Sequence, residues 1–261
     1  MHIKDKVVVV TGGASGIGKS LSERFAREGA RAVIVSDINQ AGVDATVADI
    51  AALTEARGIV ANVGKEDEVS ALVDATLAEF GHIDLFCSNA GISIEGGVEV
   101  DDTAWQRIWD INVMAHVWAA RHLVPLMAAR GGGYLLNTAS AAGLLNQVGS
   151  APYGVTKHAA VGLAEWLALT YGDQGIKVSV LCPQAVRTEM TRGHEGHVAA
   201  LDGMMEPAPV ADACVQAIEQ ETFLVLPHPQ VAQYMRNKTD GYDRWIKGMR
   251  KLNRRFGVGA A

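Results

Sequence analysis

Three polar residues in the middle of the chain could together move a proton to or from an alcohol oxygen. Tyr153 and Lys157 lie four residues apart in Y-G-V-T-K, and Ser140 precedes Tyr153 by thirteen residues. On a helix, this spacing puts the phenol and the ammonium group on one face, where the cation lowers the pKa of the phenol towards the range of a general base. The serine hydroxyl can hold the reacting oxygen near the phenol. On an ordinary amphipathic helix the same pair is only a half-buried ring beside a solvated amine, so its interpretation depends on the rest of the chain.

A glycine-rich turn near the N-terminus is typical of a phosphate-binding site. The apolar run at 7–10 predicts a buried strand, and apolar residues from Ile17 onwards recur at helical spacing. Between them, Gly12, Gly16 and Gly18 stand in the pattern G-x-x-x-G-x-G. A strand, a glycine turn and a helix in this order direct backbone N–H groups at a pyrophosphate. We therefore expect dinucleotide binding, although such a turn alone is also compatible with a tight turn that binds nothing.

The second predicted strand ends in an acidic residue. Asp37 follows the apolar run at 32–36, at about the separation from Gly18 that ribose-binding acids have in dinucleotide-binding units. Its carboxylate would accept hydrogen bonds from the ribose hydroxyls of NAD and repel the 2′-phosphate of NADP. It could also cap the following helix, and both roles are compatible. The sequence thus favours NAD over NADP.

With these motifs in this order, the chain resembles the short-chain dehydrogenase/reductase family over about residues 5–192. The turn T-G-G-A-S-G-I-G matches the family pattern T-G-x-x-x-G-x-G, and N-A-G at 89–91 matches the motif after the fourth strand. The catalytic tetrad that the resemblance implies is Asn112, Ser140, Tyr153 and Lys157. The resemblance implies an oxidoreductase that transfers a hydride between a nicotinamide cofactor and a secondary alcohol or ketone.

The resemblance also implies a role for each member of the tetrad. Tyr153 would act as the base in oxidation and as the acid in reduction. Lys157 would lower the pKa of the tyrosine and hydrogen-bond the nicotinamide ribose. Ser140 would orient the substrate oxygen, and Asn112 would hold a water that connects Lys157 to solvent. No metal ion is needed, because the hydride chemistry belongs to the cofactor.

The cofactor contacts implied by the resemblance extend over several turns. They are Gly12, Ser15, Gly16, Ile17, Gly18, Asp37, Asn62, Val63, Asn89, Ala90, Gly91, Tyr153, Lys157, Pro183, Val186 and Thr188. Two of the motifs depart from the family pattern. Asn62 stands where the family usually has aspartate at the adenine, and Gln184 follows Pro183 where glycine is usual. Gln184 could contact substrate or merely tolerate the same backbone, and the sequence leaves this open.

Length and composition predict one folded domain over residues 1–261. Apolar residues make up 49% and charged residues 20% of the chain, which is typical of a globular protein. Strands and helices alternate, which predicts an α/β fold, a single-domain Rossmann-type doubly wound parallel sheet of about seven strands with helices on both faces. The predicted strands are 6–11, 32–36, 58–62, 83–88, 133–138, 177–182 and 222–226. The predicted helices are 17–28, 40–57, 66–80, 103–130, 152–173 and 209–220.

Several classes of site and partner are disfavoured. The three cysteines have no paired spacing, so we expect free thiols, and His194 and His197 lack further ligands, so we expect no metal site. A net charge of −6 without a basic amphipathic face argues against nucleic acid and anionic membranes as partners. We find neither a signal-peptide pattern nor an apolar run long enough to span a membrane, and therefore expect a cytoplasmic protein.

Two segments are expected to determine substrate specificity. The stretch 187–208 suits a lid over the site, and residues 228–261 form an extension that could cover the pocket, pack on another subunit or cap the sheet. The family is commonly tetrameric, so we expect a homo-oligomer, either a tetramer or a dimer. Two alternatives stay open: a carbonyl reductase that prefers NADP, and a dinucleotide-sensing protein without catalysis. The substrate itself cannot be derived.

Overall fold

The computed structural model describes residues 1–193 and 196–257, and its centre is a parallel sheet of seven strands. His194 and the last four residues of the expected extension lie outside the described residues. The strands are β1 (Val7–Thr11), β2 (Ala32–Asp37), β3 (Glu55–Val60), β4 (Leu85–Ser88), β5 (Gly133–Thr138), β6 (Ile176–Leu181) and β7 (Leu224–Val225). They lie side by side in the order β3-β2-β1-β4-β5-β6-β7. This confirms the predicted doubly wound sheet.

Helices cover both faces of the sheet. They are α1 (Gly16–Arg27), α2 (Gln40–Ile50), α3 (Glu66–Phe80), α4 (Asp102–Trp109), α5 (Ala115–Ala129), α6 (Ala142–Leu145), α7 (Ala151–Tyr171), α8 (Pro207–Gln220), α9 (Gln230–Thr239) and α10 (Tyr242–Phe256). Val7 and Val9 of β1 pack towards α3, α5 and α7, whereas Val8 and Val10 pack towards α1, α2 and α8. Both faces of β1 are therefore fully buried, which explains its unbroken run of valines.

The strand order reverses next to β1, and this reversal opens the crevice in which the candidate site lies. Val8 pairs with Val33 of β2 on one side and with Leu85 of β4 on the other. The connections that leave β1 and β4 run to opposite faces of the sheet, so their turns separate. Ligands of doubly wound folds bind in such a crevice, at the carboxyl ends of the strands.

Three predicted elements have different bounds in the structure. The third strand is shifted to Glu55–Val60, and α2 ends at Ile50 and not near residue 57. The third strand lies at the edge of the sheet with most residues exposed, so its apolar pattern is weak. The single long helix predicted at 103–130 is divided by a π-helical turn at Asp110–Met114.

The C-terminal segment contains two helices that the sequence analysis did not predict, α9 and α10. The second has basic residues along one side and apolar residues along the other, so the expectation that the chain has no basic amphipathic face is wrong. Within the described ranges, no helix combines the length and the apolar character needed to cross a bilayer.

Candidate active site

Two adjoining pockets lie at the carboxyl ends of the central strands. One is a groove of about 350 Å³ along the turns after β1, β2 and β4. The other is a cavity of about 1260 Å³ between α6, the lid segment and the C-terminal helices. Ser140 and Tyr153 line both pockets. A ligand in the groove and a second ligand in the cavity would therefore meet at these two hydroxyl groups.

The glycine turn after β1 leaves no room for side chains. A Cβ atom on Gly18 would lie 2.1 Å from the Gly12 carbonyl oxygen, and one on Gly12 would lie 2.9 Å from Cα of Ala90. Gly12 and Gly16 also have φ values of 67° and 52°, which L side chains rarely adopt. The turn thus brings the backbone of β1 close to the start of α1 and exposes main-chain N–H groups to the groove, as a pyrophosphate requires.

Asp37 joins the first two turns of the groove. One carboxylate oxygen accepts a hydrogen bond from the Ala14 N–H at 3.2 Å, and the other accepts from the Asn39 N–H at 3.1 Å. The cap of α2 is Asn39 and not Asp37, because the Asn39 side chain accepts from the Gly42 N–H. Among the described residues no cation pairs with the Asp37 carboxylate, so its negative charge faces the groove uncompensated.

Asn89 holds three strand ends together at the floor of the groove. Its side-chain amide donates to the Thr11 carbonyl of β1 at 3.0 Å and accepts from the Thr138 hydroxyl of β5 at 3.3 Å. The Thr11 hydroxyl in turn accepts from the main-chain N–H groups of Asn89 and Ala90. This network fixes the N-A-G turn against the glycine turn, so both sides of the groove have one relative position.

Tyr153 and Ser140 form the wall between the two pockets. The Ser140 hydroxyl donates to the Pro183 carbonyl at 3.4 Å and accepts from the Ala142 N–H at 3.1 Å, which fixes its position. Burial raises the pKa of Tyr153, and the interaction with the Ser140 hydroxyl lowers this pKa by a smaller amount. The net lowering expected from Lys157 is therefore not found for the protein residues alone, because desolvation of the phenolate outweighs their attraction.

Lys157 lies beneath the tyrosine ring. Its Nζ atom is 5.6 Å from the centre of the Tyr153 ring and donates a hydrogen bond to the Thr138 carbonyl at 3.0 Å. The side chain is 3% exposed, and burial lowers the pKa of Lys157 to about 8. The lysine can therefore lose or gain a proton near neutral pH, which an exposed lysine does not do.

Asn112, the fourth member of the tetrad, lines neither of the two pockets. Its side chain accepts from the Ile92 N–H at 2.9 Å and donates to the Ile92 carbonyl at 3.0 Å. It also donates to the Thr156 hydroxyl on α7 at 3.2 Å. The side chain thus joins the turn after β4 to the helix that carries Tyr153, and its position in the π-helical turn makes both contacts possible.

The sequence matches the family model described as "short chain dehydrogenase" over residues 6–198. The chain belongs to the short-chain dehydrogenases. Membership makes it an oxidoreductase that acts on CH–OH groups with a nicotinamide cofactor, in which a tyrosine is the general acid or base.

Proteins of similar sequence include three dehydrogenases. The 1-deoxy-11-beta-hydroxypentalenate dehydrogenase of Streptomyces exfoliatus is 32% identical, over 94% of this chain and 90% of its own length. The 3beta-hydroxysteroid dehydrogenase 2 of Eggerthella lenta is 34% identical over 72% of this chain and 74% of its own. The cyclohexanol dehydrogenase of an Acinetobacter species is 35% identical over 71% and 75%.

Solved structures of the family have the same fold. A short-chain dehydrogenase/reductase from Burkholderia phymatum, in complex with NAD, superposes with a TM-score of 0.85 at 27% identity, covering 93% of this chain and 96% of the other. Levodione reductase superposes with a TM-score of 0.79 at 28% identity, covering 85% and 96%.

In this dehydrogenase, every residue that the sequence analysis assigned to the cofactor lines the groove. The set includes Asn62 and Val63 at the end of the groove that Asp37 also lines. Asn62 is oriented by its own turn, because its side-chain oxygen accepts from the Gly64 N–H at 3.0 Å. At the opposite end, Thr188 lies directly over the glycine turn, where a Cβ on Gly16 would be 2.8 Å from the threonine methyl. The lid segment therefore begins in contact with the cofactor groove.

Sequence analysis expected the segments 187–208 and 228–261 to determine substrate specificity, but it did not assign individual residues of the tail to the wall of the cavity. Tyr234 of α9 and Trp245 of α10 line it, together with Met204 of the lid segment. Of the three roles considered for the extension, covering the pocket is the one that these contacts support.

Gln184 lines both the groove and the cavity and is bonded to the lid segment. Its side-chain nitrogen donates to the Asp202 carboxylate at 3.1 Å, and the same carboxylate accepts from the Tyr234 hydroxyl at 3.0 Å. The main-chain N–H of Gln184 donates to Nδ1 of buried His228. Gln184 therefore holds the end of β6, the lid segment and α9 in one hydrogen-bonded network, which a glycine could not do.

Within the described part of the chain, no group of acidic, histidine and cysteine side chains is arranged to hold a metal ion. The three cysteines are buried free thiols, and burial raises the pKa of each of them.

Proposed function

We propose that this short-chain dehydrogenase uses NAD to oxidise bulky secondary alcohols on carbon rings, or to reduce the corresponding ketones. The observation that carries the proposal is the position of Ser140 and Tyr153 on the wall shared by the groove and a large cavity. An alcohol in the cavity would have its oxygen beside both hydroxyl groups. Proton transfer by a positioned side chain can then accompany hydride transfer.

The choice of NAD rests on Asp37. The residue lines the groove and carries an uncompensated carboxylate among the described residues. The first basic residue after the glycine turn, Lys19, is occupied by Asp49, with which it forms a contact of 2.7 Å. A 2′-phosphate would therefore meet repulsion and no available cation at this point, whereas ribose hydroxyls would find an acceptor.

The four tetrad residues would divide the work by position. Tyr153 would exchange the proton with the substrate oxygen, and Ser140 would hold that oxygen by a hydrogen bond. Lys157 would stabilise the phenolate, and its lowered pKa allows it to release or accept a proton near neutral pH. Bound nicotinamide would accept or donate the hydride. In its oxidised form it would also add a positive charge to that of the Lys157 ammonium group. Asn112 would fix the distance between the turn after β4 and α7, since its side chain is already bonded to Ile92 and Thr156.

The proposed substrate class rests on the size and lining of the cavity. At about 1260 Å³ it exceeds the volume that a small alcohol needs, and apolar side chains form most of its wall. Its apolar residues include Ile92, Leu145, Met190, Leu201, Met204 and Trp245. Two of the similar proteins are named for a hydroxysteroid and for cyclohexanol, which are ring alcohols with apolar skeletons. We infer the same chemical class here.

Self-association is also proposed. Trp166 and Leu169 on α7 are 53% and 85% exposed, and Leu126 on α5 is 44% exposed. Large apolar side chains on these two helices support the expected dimer or tetramer, because association would remove them from water.

The cytoplasmic location and the single-domain organisation stay predictions. Two alternatives are an NADP-preferring reductase and a non-catalytic sensor. Comparison of kcat/KM for NAD and NADP tests the first, and turnover measured beside NADH binding tests the second.

A Tyr153→Phe variant tests the proposal directly. Wild-type protein should reduce NAD with cyclohexanol and with a 3β-hydroxysteroid, followed by NADH absorbance, and should turn over a straight-chain primary alcohol far less well. The variant should bind NADH, measured by fluorescence, with unchanged affinity and lose turnover by about 10³-fold or more. Full turnover in the variant would exclude Tyr153 as the acid or base. Absence of turnover with every alcohol, despite NADH binding, would favour the sensor.

A further inference from the structure

Helix α10 carries a concentrated positive charge on one side. Its basic residues are Arg244, Lys247, Arg250, Lys251, Arg254 and Arg255, and its only acidic residue is Asp243. Four of them follow one another at spacings of three and four residues, so they lie along the same side of the helix. This side belongs to a chain whose formal net charge is −6.

The charges of α10 are not neutralised by neighbouring carboxylates. Within residues 1–193 and 196–257, none of the six basic side chains forms an ion pair. Several arginines elsewhere in the protein are paired with carboxylates: Arg57 contacts Glu55 and Glu79, and Arg187 contacts Glu206 at 2.9 Å. The basic side of α10 is therefore a positive surface open to a partner with negative charge.

The opposite side of α10 is apolar and only loosely packed. Trp245, Met249 and Leu252 line the cavity, yet no residue of the helix is buried. Tyr242 and Ile246, one turn apart at the edge of this stripe, are 56% and 47% exposed. Apolar side chains thus reach the surface directly beside the row of cations.

We propose that α10 binds the surface of an anionic lipid bilayer, with its basic side chains on the headgroups and Tyr242 and Ile246 at the boundary with the acyl chains. Helices that lie in a membrane interface have this combination of a lysine- and arginine-rich face and an apolar face. Exposed apolar residues beside the cations favour a bilayer, whose acyl boundary takes up apolar side chains, over a nucleic acid or an acidic protein. The helix also roofs an apolar cavity, so a lipid-dissolved alcohol would arrive next to its binding site.

The net charge of the whole chain does not contradict this binding. At physiological ionic strength the Debye length is about 8 Å, so a membrane interacts with the surface that faces it and not with distant carboxylates. The sequence-based expectation of no membrane partner rested on the total charge and on the absence of a basic amphipathic face, whereas α10 has such a face.

Sedimentation of the full-length protein with vesicles tests the proposal. The protein should bind vesicles of phosphatidylcholine and phosphatidylglycerol, should bind pure phosphatidylcholine vesicles far less, and should be released by salt. A Lys247→Glu, Lys251→Glu, Arg254→Glu variant should bind the anionic vesicles at least about tenfold more weakly. These three residues do not line the cavity, so turnover of a water-soluble alcohol should be unchanged.

A matched control places the same charge change elsewhere. Lys4, Arg31 and Arg107 are exposed, and their triple replacement by glutamate should leave vesicle binding within about twofold of wild type. A second variant, Ile246→Asn, should weaken binding to anionic vesicles while leaving binding to a soluble polyanion such as heparin unchanged.

Three results would overturn the proposal. These are no binding to anionic vesicles at low salt, equal losses in the α10 variant and the control, and stronger binding to duplex DNA than to the vesicles. Since vesicle binding is measured without substrate or cofactor, its failure would leave the proposed dehydrogenase activity untouched.

Discussion

The ammonium group of Lys157 donates a hydrogen bond of 3.0 Å to the main-chain carbonyl of Thr138, the last residue of β5. This bond ties α7, which carries Tyr153, to the strand end that leads directly into Ser140. The lysine therefore fixes the relative position of the two hydroxyl groups in addition to supplying a charge. It does so from a buried site, where a charged amine is costly.

Replacement of Lys157 by methionine should abolish turnover and stabilise the fold at neutral pH. Burial lowers the pKa of Lys157 from 10.5 to about 8, so the folded state binds fewer protons than the unfolded state between these pH values. Below pH 8 the lysine is charged in both states. The whole free-energy cost of burying the ammonium group, about 3 kcal/mol, then lowers the stability of the folded state. Loss of the bond to Thr138 offsets part of this, so we expect a net gain of about 1–2 kcal/mol at pH 7.

The pH dependence distinguishes this cause from better packing. Wild-type stability should rise relative to the variant between pH 8 and 10.5, as the buried lysine loses its charge in the folded state, and the advantage of the variant should shrink accordingly. Guanidinium unfolding at pH 7 and at pH 10 measures both quantities. A difference that stays constant with pH would show that desolvation of the ammonium group is not its source.

Gly18→Ala should block dinucleotide binding. The new methyl group would lie 2.1 Å from the Gly12 carbonyl oxygen, so the turn must open and its N–H groups must move. We expect the free energy of unfolding to fall by about 1–3 kcal/mol and NADH binding to weaken by at least about tenfold. Fluorescence titration and guanidinium unfolding provide the two measurements.

Gly172→Ala is the matched control for that substitution. Gly172 has helical backbone angles, φ −56° and ψ −44°, and an added Cβ would meet nothing within 4 Å. Alanine there should leave NADH binding unchanged and stabilise the protein slightly, because it restricts the unfolded chain. Equal effects of the two alanines on NADH affinity would refute the steric argument for the turn.

Asp37→Ala should reduce the preference for NAD. The substitution removes the acceptor for ribose hydroxyls and the negative charge that opposes a 2′-phosphate, so the ratio of kcat/KM for NAD to that for NADP should fall by at least about tenfold. Asp44→Ala is the control, since Asp44 lies on α2 outside the groove and bonds only Gln40 in the described residues. A wild-type protein that already prefers NADP would contradict the interpretation of Asp37.

The sequence predicted the groove more completely than the cavity, for a physical reason. Groove residues lie in or next to short turns whose chemistry is local: Gly12 and Gly16 need positive φ, and Asp37 is the last residue of a buried strand. The cavity depends on contacts between distant segments, such as Tyr234 with Asp202, which no local pattern encodes. The pKa of Tyr153 was also beyond sequence reasoning, because burial and charge act in opposite directions and only coordinates show which is larger.

The helical content of the tail was missed for a related reason. The basic residues of α10 do recur with helical spacing, but the sequence analysis treated residues 228–261 as an extension and assigned no helix to it. The π-helical turn around Asn112 could not be derived either, since the 103–130 segment reads as a continuous helix. The turn is understood only from its contacts, because Asn112 must reach both Ile92 and Thr156.

The network of Gln184, Asp202 and Tyr234 should control how firmly the lid segment covers a bound alcohol. Asp202 is the common acceptor, at 3.1 Å from the Gln184 side-chain nitrogen and at 3.0 Å from the Tyr234 hydroxyl. Asp202→Ala releases both donors at once, so the lid segment loses its side-chain bonds to Gln184 and to Tyr234 of α9. We expect KM for the alcohol to rise about five- to tenfold, the equivalent of about one neutral hydrogen bond, with NADH affinity unchanged.

Tyr234→Phe separates the bond from the packing of the ring, because only the hydroxyl is removed. If the bond between Tyr234 and Asp202 carries the effect, the double variant should have the same KM as Asp202→Ala alone, as a double-mutant cycle requires of groups that act through one contact. Asp212→Ala is the matched control, since that carboxylate pairs with Arg24 of α1 and neither residue lines the cavity. Strictly additive changes in the double variant would mean that the two residues act on the substrate independently, and that the lid segment is held by other contacts.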